Sequence, residues 1–353
     1  MAWRSNGGHS FALRGQAPGG PADEAAGEGE AAGSGTPRSA ATDVDLAARF
    51  ESAWRLVAER YWDLASLAVD WDEVGESYRA KLADLSGPSE LYALLEEMYG
   101  ELGDDHSVYV PPARVAEIRE SYGDLPCVAV FDSSALLPAA PVAALRSQLT
   151  APETSALGPV EYGLAEEGRL SVGYVRLADL ASDGVASGLR DAVRRLSARG
   201  ADAFVLDLRG NPGGRLVTMM QAAGVFTRGF LWRAVMSWTL PLPYPAIGEP
   251  VTDRPLVVLV DGGVNSAAEG LAGALQANDR AVIVGETTAG NVEAVLPFCL
   301  RDGSQAWIAT GVLAPLLGAT WEGRGVVPDI EAPSEAAYEA AVAHLLATVG
   351  ERD

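Results

Sequence analysis

Two apolar runs, AFVL at the head of AFVLDLR (203–209) and PLVVLV at 255–260, constrain this chain more than any other feature. Neither alternates with polar residues, so each belongs to a strand covered on both faces, as in parallel sheets. Each run also feeds a short turn and then a helix-period stretch: RGNPGG and RLVTMMQAAGVF after the first, DGGVNS and AAEGLAGALQ after the second. LSVGYVRL from Leu170, GVASGLRDAVRRLSA from Gly184 and AVIVGE from Ala281 continue the alternation. Strands and helices at this spacing are βα units, and a mostly parallel α/β sheet follows.

Upstream the texture differs. Residues 1–43 are rich in Gly, Ala, Ser, Pro and Glu and hold too little apolar surface to offset ordering entropy, so a disordered low-complexity tail is expected there. From Val44, Phe50, Trp54, Val57 and Tyr61 fall on one helical face. A second helix is predicted over Trp71–Leu82. A third follows Ser89, with Leu91, Leu94, Leu95 and Met98 inward. These make a helical domain over 44–115. Residues 116–164 read as an irregular connection, 165–333 as the α/β core, and 334–353 as a C-terminal helix capped by Ser334.

Composition excludes several classes of function. Lys and Arg number 26 against 48 Asp and Glu, a net charge of −22, which would repel a phosphate backbone, so no nucleic-acid partner is expected. No run of 18 apolar residues exists, so no membrane-spanning helix is expected. The N-terminus lacks a continuous apolar segment of the secretory type, and a cytoplasmic location is the default. Cys127 and Cys299 lie in apolar surroundings without metal-ligand spacing, so both are read as reduced core residues, with no metal and no cofactor implied.

Three loops carry chemistry. In DLRGNPGGRL (207–216), glycines permit positive φ and close backbone approach, which suits either an anion-binding nest or a plain tight turn. In DGGVNSAAEG (261–270), Ser266 stands at a helix N-terminus, where dipole and free amides would stabilise an oxyanion. Ser266 and Glu269 also fit the S-x-x-E capping box, and taken alone the capping role is favoured. In GDDHSVY (103–109), His106 sits between Asp104, Asp105 and Ser107. The other histidines are poorer bases: His9 is in the tail, and His344 lies among Ala and Leu of the last helix.

Seven blocks in order, DWDEVGESY, LGDDHS, GYVRL, VLDLRGNPGG, PLVVLVDGGVNSAAEGLAGAL, AVIVGETTAG and GRGVVPDI, resemble the tail-specific or C-terminal-processing serine peptidases, including their tricorn-core and retinoid-binding-like relatives. The resemblance implies a crotonase-like or ClpP-like ββα core behind a small helical domain, and hydrolysis of peptide bonds in peptides or unfolded tails. It places the nucleophile on Ser266, three residues before Glu269, with an oxyanion hole from the Ala267 amide and the Gly213–Gly214 turn. The bacterial processing branch has a Lys base and a Gln where this chain has Asn291 and Val295, neither of which can deprotonate a serine. The tricorn-like branch uses a His in an LG-x-x-H loop, matched by His106, with an acid matched by Glu322. Where that branch has a Ser before the His, this chain has Asp105. Asp105, Ser107, Glu269 and Asn291 are the expected supporting residues. Residues 127–160 lack a glycine-rich carboxylate-binding loop, so no PDZ domain is expected.

The same triad would serve an esterase or a biosynthetic cyclase, and the same fold without turnover would serve a binding protein for apolar or peptide ligands. The aromatic and proline-rich stretch 228–250 suits either a wall of the substrate cleft or an oligomer contact, and a homo-oligomer is left open.

Overall fold

The computed structural model describes residues 40–104, 106–122, 152–236 and 239–349, the side chains of 40–44, 121 and 122 excepted. Residues 1–39 of the expected tail, with His9, most of the stretch judged to lack a PDZ domain, Asp105 and Cys127 lie outside the described residues, while 40–43, expected in the tail, already belong to the first helix. Ser39–Asp353 is one compact unit.

The helical segment forms as its periodicity predicts. Helices α1 (Ala40–Arg60), α2 (Trp71–Ala80) and α3 (Pro88–Gly100) bury Phe50, Val57, Tyr61, Leu91, Leu95 and Met98 on their shared faces. Asp70 starts α2 by accepting the amides of Asp72 and Glu73. Trp54 and Trp71 staple α1 to α2, each indole donating to the other residue's carbonyl at 3.1 Å. Gly75 is required there, since a Cβ would run into the Trp54 indole. After α3 come β1 (Val108–Val110) and α4 (Pro112–Tyr122), so part of the stretch expected to be irregular is helical.

The larger sheet is built from β2 (Glu153–Thr154), β3 (Glu161–Glu167), β4 (Leu170–Arg176), β5 (Ala203–Asp207), β8 (Leu256–Val260), β9 (Val282–Gly285) and β12 (Ile330–Glu331). Its order is β12-β9-β8-β5-β4-β3-β2; β12 through β4 run parallel, while β3 and β2 are antiparallel additions. Helices α5 (Val185–Ala198), α6 (Leu216–Ala223) and α7 (Ala267–Ala277) cover one face, and α8 (Ala337–Val349) the other. β5 and β8 are buried at every residue, as their unbroken apolar runs require. Ser334 does not cap the last helix: a 3-10 turn over Ser334–Ala336 intervenes, and its hydroxyl reaches Asp261 at 3.4 Å.

A second sheet is antiparallel, in the order β1-β11-β6-β7 with β10 also on β11; its members are β6 (Phe230–Met236), β7 (Thr239–Pro245), β10 (Glu293–Cys299) and β11 (Gln305–Pro315). The expectation of a mostly parallel sheet therefore holds for only one of two. The stretch 228–250 forms the β6–β7 hairpin, with Leu240 and Leu242 exposed. β11 carries Ala306, Ile308 and Ala309 into the core of the helical segment, and the Trp62 amide donates to the Ala309 carbonyl. The helical segment is thus seated on the strand that neighbours β10.

Cys299 is disulfide-bonded, which corrects the reading of it as a reduced thiol. Apolar flanks do not tell a packed thiol from a bridged one, because the spacing of cysteines along the chain says nothing of their approach in space.

Candidate active site

The site gathers where β5 and β8 end and β10 begins. Ser266 precedes α7 with φ 53° and ψ −124°. An ordinary cap residue takes extended backbone, and positive φ in a non-glycine residue costs about 1–3 kcal/mol unless its surroundings impose it. Here they do. The Ser266 amide donates to the Asn291 carbonyl at 3.0 Å and to Glu269 Oε2 at 3.1 Å. Glu269 is fully buried and also accepts from Thr288 Oγ1 at 2.6 Å and from the amides of Gly290 (2.6 Å) and Asn291 (2.9 Å). Its half of the capping box is therefore one spoke of a hub that ties α7 to the 288–291 turn.

The glycine turn after β5 leans on this serine. Gly213 has φ 101°, and a Cβ there would lie 2.8 Å from Ser266 Cβ and 3.0 Å from the Ala267 nitrogen. Asn211 holds the turn: its Oδ1 accepts the Gly213 amide at 2.9 Å, and its Nδ2 donates to the Leu177 carbonyl. The Gly213 amide is thereby committed. Among the described residues the amides of Gly214 and Ala267 have no hydrogen-bond partner, so these two remain available to an anion. Buried Arg209, paired with Asp207, anchors the turn further by donating to the Ser334 carbonyl.

His106 is buried, with 2% of its surface exposed. Asp104 Oδ1 accepts its amide at 2.8 Å and also the Ser107 amide, while Ser107 Oγ accepts the Ala309 amide. Ser107 thus fixes the loop to β11. Glu293 Oε2 accepts from His106 Nδ1 at 3.0 Å, and Trp62 Nε1 donates to Glu293 Oε1 at 2.8 Å. His106 Nε2 is buried and has no hydrogen-bond partner, so in this structure it is not bonded to Ser266 Oγ.

Glu322, the expected partner of His106, makes no hydrogen bond to it among the described residues. Its Oε2 accepts the Val292 amide at 2.7 Å. The carboxylate on the imidazole is that of Glu293, for which the sequence offers only a polar residue inside a strand pattern. The physical reason is register: β10 starts at Glu293 and points it at the 104–107 loop, while the 321–325 turn meets the strand one residue earlier.

Electrostatics follow the geometry. Burial pushes the His106 imidazolium down, but the hydrogen bond and charge of Glu293, joined by Asp104 and Glu322, more than reverse this and hold its pKa above the ordinary value. Burial pushes Glu322 up to about 7, helped by Glu293 and opposed by the Val292 amide. A cavity of about 440 Å³ opens beside the partners of His106, lined in part by Tyr61, Asp63, Asp104, Asn291, Glu293 and Glu322. Burial, then the charges of Asp104 and Glu293, raise the Tyr61 phenol far above its usual range and keep it neutral. No grouping of three metal-ligating side chains occurs among the described residues.

Similarity to known proteins matches this arrangement. The model of peptidase family S41 matches residues 171–332, and that of the tricorn protease C1 domain matches residues 44–100. A carboxyl-terminal-processing protease of Picosynechococcus sp. is 37% identical over 188 residues, covering 52% of this chain and 44% of that protein. One of Synechocystis sp. is 35% identical over 189 residues, covering 49% and 43%. The chain spans less than half the length of these two relatives. In fold it is similar to the photosystem II D1 C-terminal processing protease, with a TM-score of 0.62 at 22% identity over 82% of this chain and 94% of the other. It is likewise similar to mature CPAF, with a TM-score of 0.57 at 13% identity over 89% and 99%. The chain thus carries a segment similar to the tricorn protease C1 domain followed by a peptidase family S41 domain.

Proposed function

We propose that this chain is a serine peptidase that cleaves peptide bonds in the C-terminal tails of polypeptides, with Ser266 as nucleophile and His106 as general base. The observation that carries the reading is the backbone of Ser266. A serine held at φ 53°, at a helix N-terminus beside two unpartnered amides, is an arrangement a mere cap does not need.

In this mechanism the Nδ1–H of His106 stays on its carboxylate, which leaves a lone pair on Nε2. Nε2 takes the Ser266 Oγ proton as Oγ attacks the scissile carbonyl carbon. The oxygen of that carbonyl becomes an oxyanion and receives the amides of Ala267 and Gly214, each such donor being worth about 10²–10³ in rate. Collapse of the tetrahedral intermediate breaks the C–N bond, and His106 returns its proton to the departing amine. Water then attacks the acyl-enzyme by the same route in reverse. Ser266 and His106 hang on neighbouring points of one segment, Asn291 and Glu293, whose Cα atoms in extended chain lie about 6–7 Å apart. That shared segment supports their pairing, and such bonds often tighten when substrate binds. Glu269, Ser107 and the Asn291 carbonyl hold these groups in place rather than react.

The test is labelling of the full chain with a fluorophosphonate probe, read by intact mass and peptide mapping. Wild type should carry one adduct on Ser266, and both Ser266→Ala and His106→Ala should abolish it together with hydrolysis of a tail-bearing substrate. Adducts that persist in Ser266→Ala, or turnover of simple esters without cleavage of any peptide, would refute the peptidase reading.

A further inference from the structure

We propose that Glu293, and not Glu322, is the carboxylate that orients the base His106, and that Trp62 of the helical segment locks Glu293 in that role. The inference rests on the reading of His106 as the base.

A base histidine needs a partner that accepts its Nδ1–H, fixes the tautomer with the lone pair on Nε2, and stabilises the imidazolium that forms. Glu293 meets each requirement. Its Oε2 stands 3.0 Å from Nδ1, and the two side chains are 1% and 6% exposed, so little solvent screens the contact. Its other oxygen is occupied by the Trp62 indole at 2.8 Å, which removes the freedom of the carboxylate to swing away. Trp62 is itself pinned through its amide to the Ala309 carbonyl of β11, the strand that also receives Ser107 beside the base. Helical segment, base loop and β10 therefore close on one carboxylate.

Glu322 meets fewer of these requirements. Among the described residues its carboxylate accepts a hydrogen bond only from the Val292 amide, and it faces His106 only as a nearby charge. The groups facing His106 are then Glu293 from β10, Asp104 from its own loop, Glu322 from the 321–325 turn and Tyr61 from the end of the first helix. Among the described residues only Glu293 makes a hydrogen bond to the imidazole ring. Glu293 is a positioning residue: it moves no proton, because the Oγ proton stays on Nε2 until the leaving group takes it.

Two readouts on the full-length protein test this. The first needs no activity. The chain has three histidines, so the ¹⁵N and ¹³C signals of His106 are assigned by their loss in His106→Gln. Wild type should show the Nδ1–H tautomer and a pKa above the ordinary value. Glu293→Gln should lower that pKa by at least about one unit, since a single neighbouring charge is worth about 1–3 units, and should populate the Nε2–H tautomer. Glu322→Gln should leave the tautomer unchanged.

The second readout is the rate of Ser266 phosphonylation and kcat/KM against pH. Glu293→Gln should lose about 10³–10⁴-fold, the size of effect seen when a serine protease base loses its carboxylate partner. KM should stay within a few fold, and the acid limb should move to lower pH. Glu293→Asp, which keeps the charge, should recover part of the loss with the tautomer restored, and serves as the decisive variant if Glu293→Gln fails to fold. A His106 tautomer and acid limb indifferent to Glu293, or ones that follow Glu322 instead, would overturn the assignment. If wild type takes no probe on Ser266, the peptidase reading fails, and the NMR arm still decides whether Glu293 sets the imidazole.

Discussion

Gly213→Ala tests the oxyanion site most directly, because one added methyl should affect stability and activity through separable causes. The new Cβ would lie 2.8 Å from the Asn265 carbonyl oxygen, 2.8 Å from Ser266 Cβ and 3.0 Å from the Ala267 nitrogen. None of these is the far end of a flexible side chain, so backbone must shift. An alanine at φ 101° adds strain of about 1–2 kcal/mol, and overpacking a tight site adds about 1–3 kcal/mol. The combined cost of about 2–5 kcal/mol lies at or below the typical stability of a folded domain, so the variant should fold with a lowered urea midpoint. The methyl also covers the Ala267 amide, and loss of one oxyanion donor should reduce kcat by a further 10²–10³-fold, about 2.7–4 kcal/mol of transition-state stabilisation.

Gly200→Ala supplies the control. Gly200 has φ 92° and nothing within 4 Å of where its Cβ would stand, so it isolates the backbone strain and should leave turnover unchanged. Urea unfolding of both variants gives the clash by difference, and phosphonylation of Ser266 at a urea concentration well below either midpoint gives the activity. A Gly213→Ala protein that unfolds like Gly200→Ala and labels within about threefold of wild type would show that no oxyanion forms in this slot.

Three further outcomes follow from the same geometry. Glu322 has a folded pKa of about 7 against an ordinary 4.5, so the native state binds the extra proton and stability falls as pH rises from about 4.5 to 7. At about 1.4 kcal/mol per unit the full term is about 3 kcal/mol, reduced to about 1–2 kcal/mol because the side chain is partly solvated. Glu322→Gln should therefore match wild type at pH 4 and exceed it by that amount at pH 8 in urea titrations, and a variant less stable than wild type at pH 8 would contradict this. Glu269→Ala strands the donors of Thr288, Gly290 and Asn291, and should lower stability by about 3–5 kcal/mol, measured by thermal unfolding; a loss under 1 kcal/mol would mean the hub does not hold the turn. Alkylation of the denatured, unreduced protein should leave Cys299 unmodified by mass; a fully alkylated Cys299 would restore the reduced reading and with it the compatibility with a reducing compartment.

Some of the site is written in local pattern and some is not. Ser266 and Glu269 are legible because a buried strand, a short turn and S-x-x-E occupy consecutive residues, and their contacts are local. The turn Gly213–Gly214 is legible for the same reason, although which amide stays free depends on Asn211 Oδ1, a contact no spacing reveals. His106 stands out through the scarcity of histidine. Glu293 does not, because it contacts a residue 187 positions away, and such a pair is fixed by the register of β10 on β11 rather than by neighbours in the chain. The antiparallel sheet is hidden for a related reason. β11 is buried at all but its last residue, so its run carries no alternation, and TLPLPYP in β7 places proline at every second position, against ordinary strand composition. Helix α4 escapes notice because only Val115 and Ile118 of its described side chains are buried, too few to mark a face.

On the proposed assignment of Ser266 as nucleophile and His106 as base, the segment 290–293 explains how one fold can change its base. In the processing branch that this sequence resembles, the position of Asn291 carries the lysine that deprotonates the serine. Here that position acts through its backbone, its carbonyl holding the Ser266 amide and its own amide held by Glu269. Two residues on, Glu293 faces the 104–107 loop and bonds the imidazole of His106 at 3.0 Å. The nucleophile and its oxyanion amides belong to the parallel sheet and its turns, so they do not depend on which base arrives. What must change with a lysine-to-histidine exchange is the seat of the base, and this chain builds one from three contacts outside the parallel sheet: Trp62 on Glu293, Ser107 on Ala309, and Asp104 on the His106 amide. If His106 is the base as proposed, the helical segment is part of the catalytic apparatus, and residues 171–332 alone would hold Ser266 without that base.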